Sequence, residues 1–318
     1  MSQILTLEEI KDRIPHRYEN LLIDQVEISD NPEIVSGDLK LTITESDPLD
    51  RAIFTQNISG SNRSILVTTS MEILALASIV CSGKLEANQS VFFAGISNFE
   101  KFNDLPTNAP IKGHTEKVSD KGGFLKYSGT LTDSEGTPLV KGDMLAVFID
   151  GTPESKGGKK KIEAPIESTD LDPGFSEVHK DKWMRITDKV VNTSEAPNGF
   201  TTRYTYPEDH PFIKGHFPNN QVMMGVMQWM SIEDASLAYA LHQKLTGVNV
   251  IKGDCNIVKK DGTLVAEIKA FEVLTDLKEG SETPYATIQK TKRISFRDFV
   301  KPGETLYIQL FNLNLLPQ

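Results

Sequence analysis

Two long apolar runs set the organisation of the chain. Ile65 to Cys81 is mostly apolar and holds a single carboxylate, Glu72. The second run follows a turn-rich stretch, Lys214-Gly215-His216-Phe217-Pro218-Asn219-Asn220, and extends to about Leu245. It is apolar on nearly every side until Glu233-Asp234, which predicts a buried helix rather than one with a solvent-facing side. Between these runs the pattern becomes strand-like. Val91 to Ile96 predicts a strand, and Phe124 to Thr132 with Pro138 to Ile149 predicts a hairpin across Asp133-Ser134-Glu135-Gly136. Cys255 to Ala270, turning at Asp261-Gly262, and Tyr285 to Leu310 predict strands in the second half. A short helix over Leu5 to Ile14 has Thr6 as its N-cap and Glu9 three residues on.

The two halves read as repeats. Trp183 to Val190 echoes Leu21 to Val26, and each precedes one of the apolar runs. Between the halves, Pro153 to Pro173 has few apolar residues and carries Lys156-Gly157-Gly158-Lys159-Lys160-Lys161. That composition predicts a flexible linker. The expected division is therefore 1–152, a linker over 153–175, and 176–318. A chain of 318 residues is long enough for two such domains.

Charge and cysteine content narrow the function classes. A net charge of −10 argues against nucleic acid or an anionic membrane as general partner. Cys81 and Cys255 lie far apart in apolar stretches without metal-ligand spacing, which suits a reducing compartment. No signal peptide and no membrane-length run is present, so the expectation is a cytoplasmic protein.

Two residues draw attention as chemistry. His216 stands at the mouth of a buried helix with Gly225 nine residues on, and first-turn N–H groups of a helix are free to polarise an oxygen. A loop histidine is nevertheless more often solvated or structural. Glu72 admits two readings: the N3 partner of Thr69 in a capping box, or a desolvated acid with a raised pKa, as a general acid requires.

Gly215-His216-Phe217-Pro218 with Gly225 resembles the signature of the hotdog-fold 3-hydroxyacyl-[acyl carrier protein] dehydratases. Asn219, Gln221 and Met224 depart from that signature, and Met230 stands where the family has its catalytic carboxylate. Pro15-His16-Arg17-Tyr18 with Leu21-Leu22-Ile23-Asp24 resembles the family's N-terminal segment, whose histidine is not catalytic, so His16 reads as structural. Met71-Glu72-Ile73-Leu74-Ala75 resembles the sequence around the family's acid. Counting back from Glu72, however, gives Val67 and Ile58 where the family has its glycine and histidine.

The resemblance implies an α+β double hotdog, two repeats each wrapping an antiparallel sheet around a long central helix. In that family each site takes its histidine from one subunit and its acid from the other. The two incomplete halves would then make one site from His216 and Gly225 of the second repeat and Glu72 of the first. The other would be left with Ile58, Val67 and Met230. The implied reaction is dehydration of a 3-hydroxyacyl thioester on acyl carrier protein, in fatty acid or polyketide-type biosynthesis, with no metal and no redox cofactor. His216 would be the base, Glu72 the acid and Gly225 N–H the oxyanion donor. Phe217, Pro218, Met223 and Met224 would meet the acyl chain, and Lys214 and Arg63 would dock the acidic carrier. Further homo-oligomerisation of the fused unit stays open. So do a hotdog hydratase acting on coenzyme A esters, a hotdog thioesterase and a non-catalytic acyl- or carrier-binding subunit. Beyond the second helix, Cys255 to Ala270 resembles the family's last two strands and Tyr285 to Leu310 its earlier ones. That order means either rearranged strands or an insertion over 249–280.

Overall fold

The computed structural model describes residues 2–31, 33–59, 62–85, 89–150, 160–163, 170–174, 180–191, 199–217, 221–277 and 284–317. Three α-helices form: α1 (Leu7–Lys11), α2 (Thr69–Cys81) and α3 (Gly225–His242). In α1 the Thr6 backbone N–H and hydroxyl both donate to Glu9 Oε2 at 2.8 Å, closing the expected capping box. The predicted box at Thr69-Glu72 does not form. The N-cap of α2 is Thr68, the Thr69 hydroxyl makes no hydrogen bond, and the Glu72 side chain points into a cavity instead.

Among the described residues an antiparallel sheet of fourteen strands runs through both halves, and a second sheet of three strands (Thr55–Ser59, Asn62–Ile65, Leu105–Pro106) lies in the first half. The first half lies in the order Gln3–Leu5, Gln25–Ile28, Ser36–Leu41, Ile111–Lys121, Phe124–Thr132, Pro138–Asp150, Gln89–Lys101. The second half continues as Tyr285–Phe296, Leu264–Leu277, Gly247–Lys259, Thr305–Pro317, Phe200–Thr205, Lys189–Val191, Asp170–Leu171. The halves meet where Gln89–Lys101 pairs with Tyr285–Phe296, with Ile96 opposite Ile294 and Glu100 opposite Lys290. Gly95 is required at this seam, because a Cβ there would run into the Ile294 carbonyl. Glu100 accepts ion pairs from Lys290 at 2.8 Å and Lys141 at 2.9 Å, one cation from each half.

Comparing the halves resolves the unusual strand order. In the first, the long strand after the helix lies at the seam, Ile111–Lys121 takes the fourth slot, and Phe124–Thr132 and Pro138–Asp150 fill back toward the seam. In the second, the two strands after α3, Gly247–Lys259 and Leu264–Leu277, take the places of the first half's last two. Tyr285–Phe296 then takes the seam and Thr305–Pro317 the remaining slot. All four positions are filled and nothing is left over. The second repeat is therefore a circular permutation of its four long strands, and 249–280 is not an insertion.

Both long helices lie against this sheet, α2 on strands of the first half and α3 on strands of the second. One core of buried side chains spans both halves, from Leu5 to Leu310. On α2, Met71, Ile73, Leu74, Leu76 and Val80 are fully or almost fully buried. At roughly 1.5–3 kcal/mol each, their burial supplies on the order of 10 kcal/mol of gross stabilisation, enough to carry a buried carboxyl on the same helix. The expected linker lies largely outside the described residues. Its described parts are laid on the second half: Ile162 N–H donates to Gly262 O at 2.9 Å, and Asp170–Leu171 pairs with Val190 and Val191. Among the described residues no helix is long and apolar enough to cross a membrane.

Candidate active site

The His216 loop reaches the first half through glycine. Gly215 ends a 3-10 turn over Pro211–Lys214, and His216 N–H donates to Phe212 O at 2.8 Å. A Cβ on Gly215 would overlap the Arg17 carbonyl and the Asn20 amide, so only glycine lets the loop seat on the Pro15–Tyr18 segment. Arg17 N–H then donates to Gly215 O at 3.0 Å. The Arg17 guanidinium binds the carbonyls of Ile14 and His16 at 2.7 Å and of Lys11 at 3.0 Å. That clamp holds the segment and turns His16 inward.

Three ionisable side chains from three distant stretches meet as a result. His16, Glu72 and His216 are all buried, and their ligating atoms lie within 4.8 Å of one another. His16 Nε2 is 3.5 Å from Glu72 Oε1, and the two imidazole centroids are 5.2 Å apart. Burial pushes the Glu72 carboxyl up to about 7. It lowers His216 to about 4, partly opposed by the bond to Val222. Burial lowers His16 well below the ordinary histidine value, with the nearby His216 and Arg17 adding to the effect. Near neutrality both imidazoles are uncharged and the carboxyl retains a proton over much of the range. His216 Nδ1 lies 2.9 Å from Val222 O, and a neutral imidazole bonded there donates from Nδ1. That leaves Nε2 as the free base.

His16, which the resemblance makes structural, lies in the cluster, and neither of its ring nitrogens makes a hydrogen bond among the described residues. Nothing local in the sequence signals it, because its neighbours Glu72 and His216 are far away along the chain.

A cavity of about 200 Å³ contains the cluster and draws its walls from both halves. One arm follows the face of α2 past Ala75, Ser78 and Ile79 to Tyr127, whose hydroxyl bonds Ser82 Oγ at 2.5 Å. Gly225 opens α3 on the other wall, and a Cβ there would press on the Phe296 ring at 3.1 Å. Phe217 and Met223 line the cavity. Phe217 adopts a left-handed backbone (φ 52°), a strained conformation for a bulky residue. Its ring stacks on Phe92 at 5.4 Å and meets His216 edge-on at 4.8 Å. Met224 is buried at the N-cap of α3 and is not in the wall. Pro218 lies outside the described residues.

Of the two expected docking cations, Lys214 is exposed on the turn before His216. Neither Lys214 nor Arg63 lines this cavity, and Arg63 sits elsewhere. It lines a separate cleft with Glu19, Asp50 and Asp181, a predominantly acidic setting. The cation at the rim is instead Arg297, exposed beside Asp298 and Phe299 and paired with Glu267 at 3.2 Å.

No family model and no curated protein sequence matches the chain. Among solved structures it is similar to the dehydratase domain of RzxB from Pseudomonas fluorescens, at 8% identity over 88% of this chain and 99% of that one, with a TM-score of 0.49. It is also similar to the dehydratase domain from the CurK module of the curacin polyketide synthase, at 9% identity over 92% and 96%, with a TM-score of 0.45. The dehydratase heterocomplex ApeI:P from Xenorhabdus doucetiae matches at 19% identity over 45% of this chain and 90% of that one, with a TM-score of 0.35. In the topology above, two helix-bearing halves of one antiparallel sheet are joined edge to edge in one chain. The fold is a fused double hotdog.

Within that double hotdog the two repeats can be aligned on their own hydrogen bonds. Asp24 Oδ2 accepts Thr42 N–H and Asp188 Oδ2 accepts Thr205 N–H, both at 2.7 Å, just before the first strand that follows each 3-10 turn. Eight residues before these aspartates stand His16 and Lys180. Where His16 faces Glu72, Lys180 Nζ is 2.6 Å from Asp234 on α3, and both side chains are buried. Asp234 also accepts Ile186 N–H at 2.6 Å. Glu233, the neighbouring carboxylate, accepts Ile288 N–H at 2.9 Å. Neither lines the cavity.

Proposed function

We propose that the chain is a hydro-lyase that removes water from a 3-hydroxyacyl thioester to give the trans-2-enoyl thioester, at one composite site. The observation that carries this reading is the facing pair of a neutral imidazole and a carboxyl with a pKa near 7, in a cavity built jointly by the two repeats. His216 Nε2 takes the proton from C2, which is acidified by the thioester carbonyl. The Gly225 N–H, at the positive end of α3, stabilises the oxygen on which negative charge develops. The C2–H electron pair becomes the C2=C3 bond as the C3–O bond breaks. Glu72 gives its proton to the departing hydroxyl, so water leaves. The proton on His216 returns to Glu72 through solvent, which closes the cycle. The resting protonation states are those the reaction needs.

The acyl chain occupies the arm between α2 and the sheet, whose wall includes Met144, Ala146 and Val91. The thioester and its carrier arm leave between Phe92, Phe217 and Phe299. Acyl carrier protein is the proposed carrier, and Lys214 and Arg297 are the cations placed to meet its acidic surface. The test is a panel of 3-hydroxyacyl thioesters on carrier protein and on coenzyme A, with loss of water read by mass. Loss of water from the parent, and its reduction by about 10²–10⁴ in His216→Ala, is the expected result. Turnover of His216→Ala within about tenfold of the parent would remove the base from the scheme.

A further inference from the structure

We propose that His16, Glu72 and His216 form a site for one four-coordinate divalent transition ion, zinc above all, and that the bound ion holds the proposed dehydratase shut. The donor set is two imidazoles and one carboxylate, which suits a borderline ion of this class. Distances fit. With metal–ligand bonds of about 2.0–2.1 Å, the edge of a tetrahedral zinc site is about 3.3–3.4 Å, and His16 Nε2 already lies 3.5 Å from Glu72 Oε1. All three donor atoms fall within 4.8 Å. A contraction of at most about 1.4 Å from the 4.8 Å bound completes three corners of the tetrahedron.

Independent observations point the same way. His16 is nine-tenths buried, faces the cavity, and makes no hydrogen bond from either nitrogen among the described residues. A buried polar group without a partner is costly, and a metal ion would satisfy it. His216 donates its far N–H to the Val222 carbonyl, the outer contact that fixes the orientation of a ligating imidazole. The fourth position faces the cavity. There a hydroxide or an anionic ligand offsets the charge that one carboxylate leaves over. Phe217 and Phe299 both pack against Phe92 in the cavity wall.

The inhibitory consequence rests on the proposed reaction, because one ion would occupy both its base and its acid. Metal binding does not. The full-length protein, stripped with a chelator, is titrated with Co²⁺ while the visible bands of four-coordinate cobalt are read, and then with Zn²⁺ in a calorimeter. The expected result is one ion per chain, displaced from cobalt by zinc, with the affinity lowered at least about 100-fold in His16→Gln and in His216→Gln. His114→Gln, at an exposed pair with Asp38, should bind as the parent does. Melting curves keep the test interpretable: the parent should melt higher with saturating zinc, and each folded variant should not. Absence of a stoichiometric ion, or one whose affinity ignores both variants, overturns the site. Zinc that binds without slowing dehydration overturns its inhibitory role alone. A chain that binds zinc but dehydrates nothing keeps the site and loses the proposed reaction.

Discussion

Glu72→Gln should abolish dehydration and, at alkaline pH, stabilise the protein. The carboxyl has no ion-pair partner other than the uncharged His16, and burial alone accounts for its shift from 4.5 to about 7. The folded pKa is raised, so the folded state holds a proton that the unfolded state has released between those values. Stability therefore falls as pH rises through that window. With 1.36 kcal/mol per unit, the carboxyl costs the native state about 1 kcal/mol at pH 5 and about 3 kcal/mol at pH 8. Glutamine has nearly the same shape and carries no charge, so it should recover most of that difference. For a chain of this length, 3 kcal/mol corresponds to about 5 °C in melting temperature. Thermal or urea melts of parent and variant at both pH values measure it. A variant equally stable relative to the parent at pH 5 and pH 8 would refute the reasoning, because it would mean that Glu72 ionises in the folded protein as easily as in water.

Three further outcomes follow from the geometry. The pH profile of kcat/KM should be bell-shaped, with an acid limb near 4 as His216 takes a proton and an alkaline limb near 7 as Glu72 loses one; a plateau running through pH 9 would exclude Glu72 as acid. Gly215→Ala should lower activity and destabilise by about 1–3 kcal/mol, since its Cβ meets the Arg17 carbonyl and must move the His216 loop; melting and kinetics on the purified variant check both. Residues 1–150 and 151–318 made separately should be inactive and poorly soluble, because each exposes one open edge of a long seam strand, whereas co-expression should restore a one-to-one active complex; activity in the second fragment alone would rule out Glu72 as the acid.

Much of this was legible in the sequence where local pattern dictates local structure. The apolar runs mark α2 and α3, though Ile65 ends the strand Asn62–Ile65 and Leu66 to Thr68 turn before α2 begins. Asp261-Gly262 marks its hairpin, with Gly262 at φ +82°. What the sequence concealed is long-range. Burial of Glu72, not its spacing from Thr69, decides between cap and acid, and burial depends on strands far along the chain. Met223 and Met224 are adjacent and chemically alike, yet in an extended segment successive side chains point to opposite sides, and only Met223 reaches the cavity. The permuted strand order preserves each strand's own alternation, so periodicity could not distinguish it from an insertion.

The comparison of His16 with Lys180 gives a physical reason why one side of a double hotdog would keep acid–base chemistry and the other lose it. A general acid must hold its proton near neutral pH, and a carboxyl in an apolar helix does so only while no cation stands beside it. On the first repeat the residue facing the helix is a histidine whose own burial keeps it uncharged, so Glu72 retains a raised pKa. On the second, Lys180 lies 2.6 Å from the helix carboxylate Asp234, and the two form a buried ion pair. Removing one partner of such a buried pair leaves an uncompensated charge, at a cost of about 3–5 kcal/mol, so once formed it resists stepwise return to a protonated acid. With Met230 in the acid's place on α3 and Ile58 in the base's place in the first repeat, chemistry on that side would need several coordinated changes. The side built from Glu72 and His216 already holds the proposed pair.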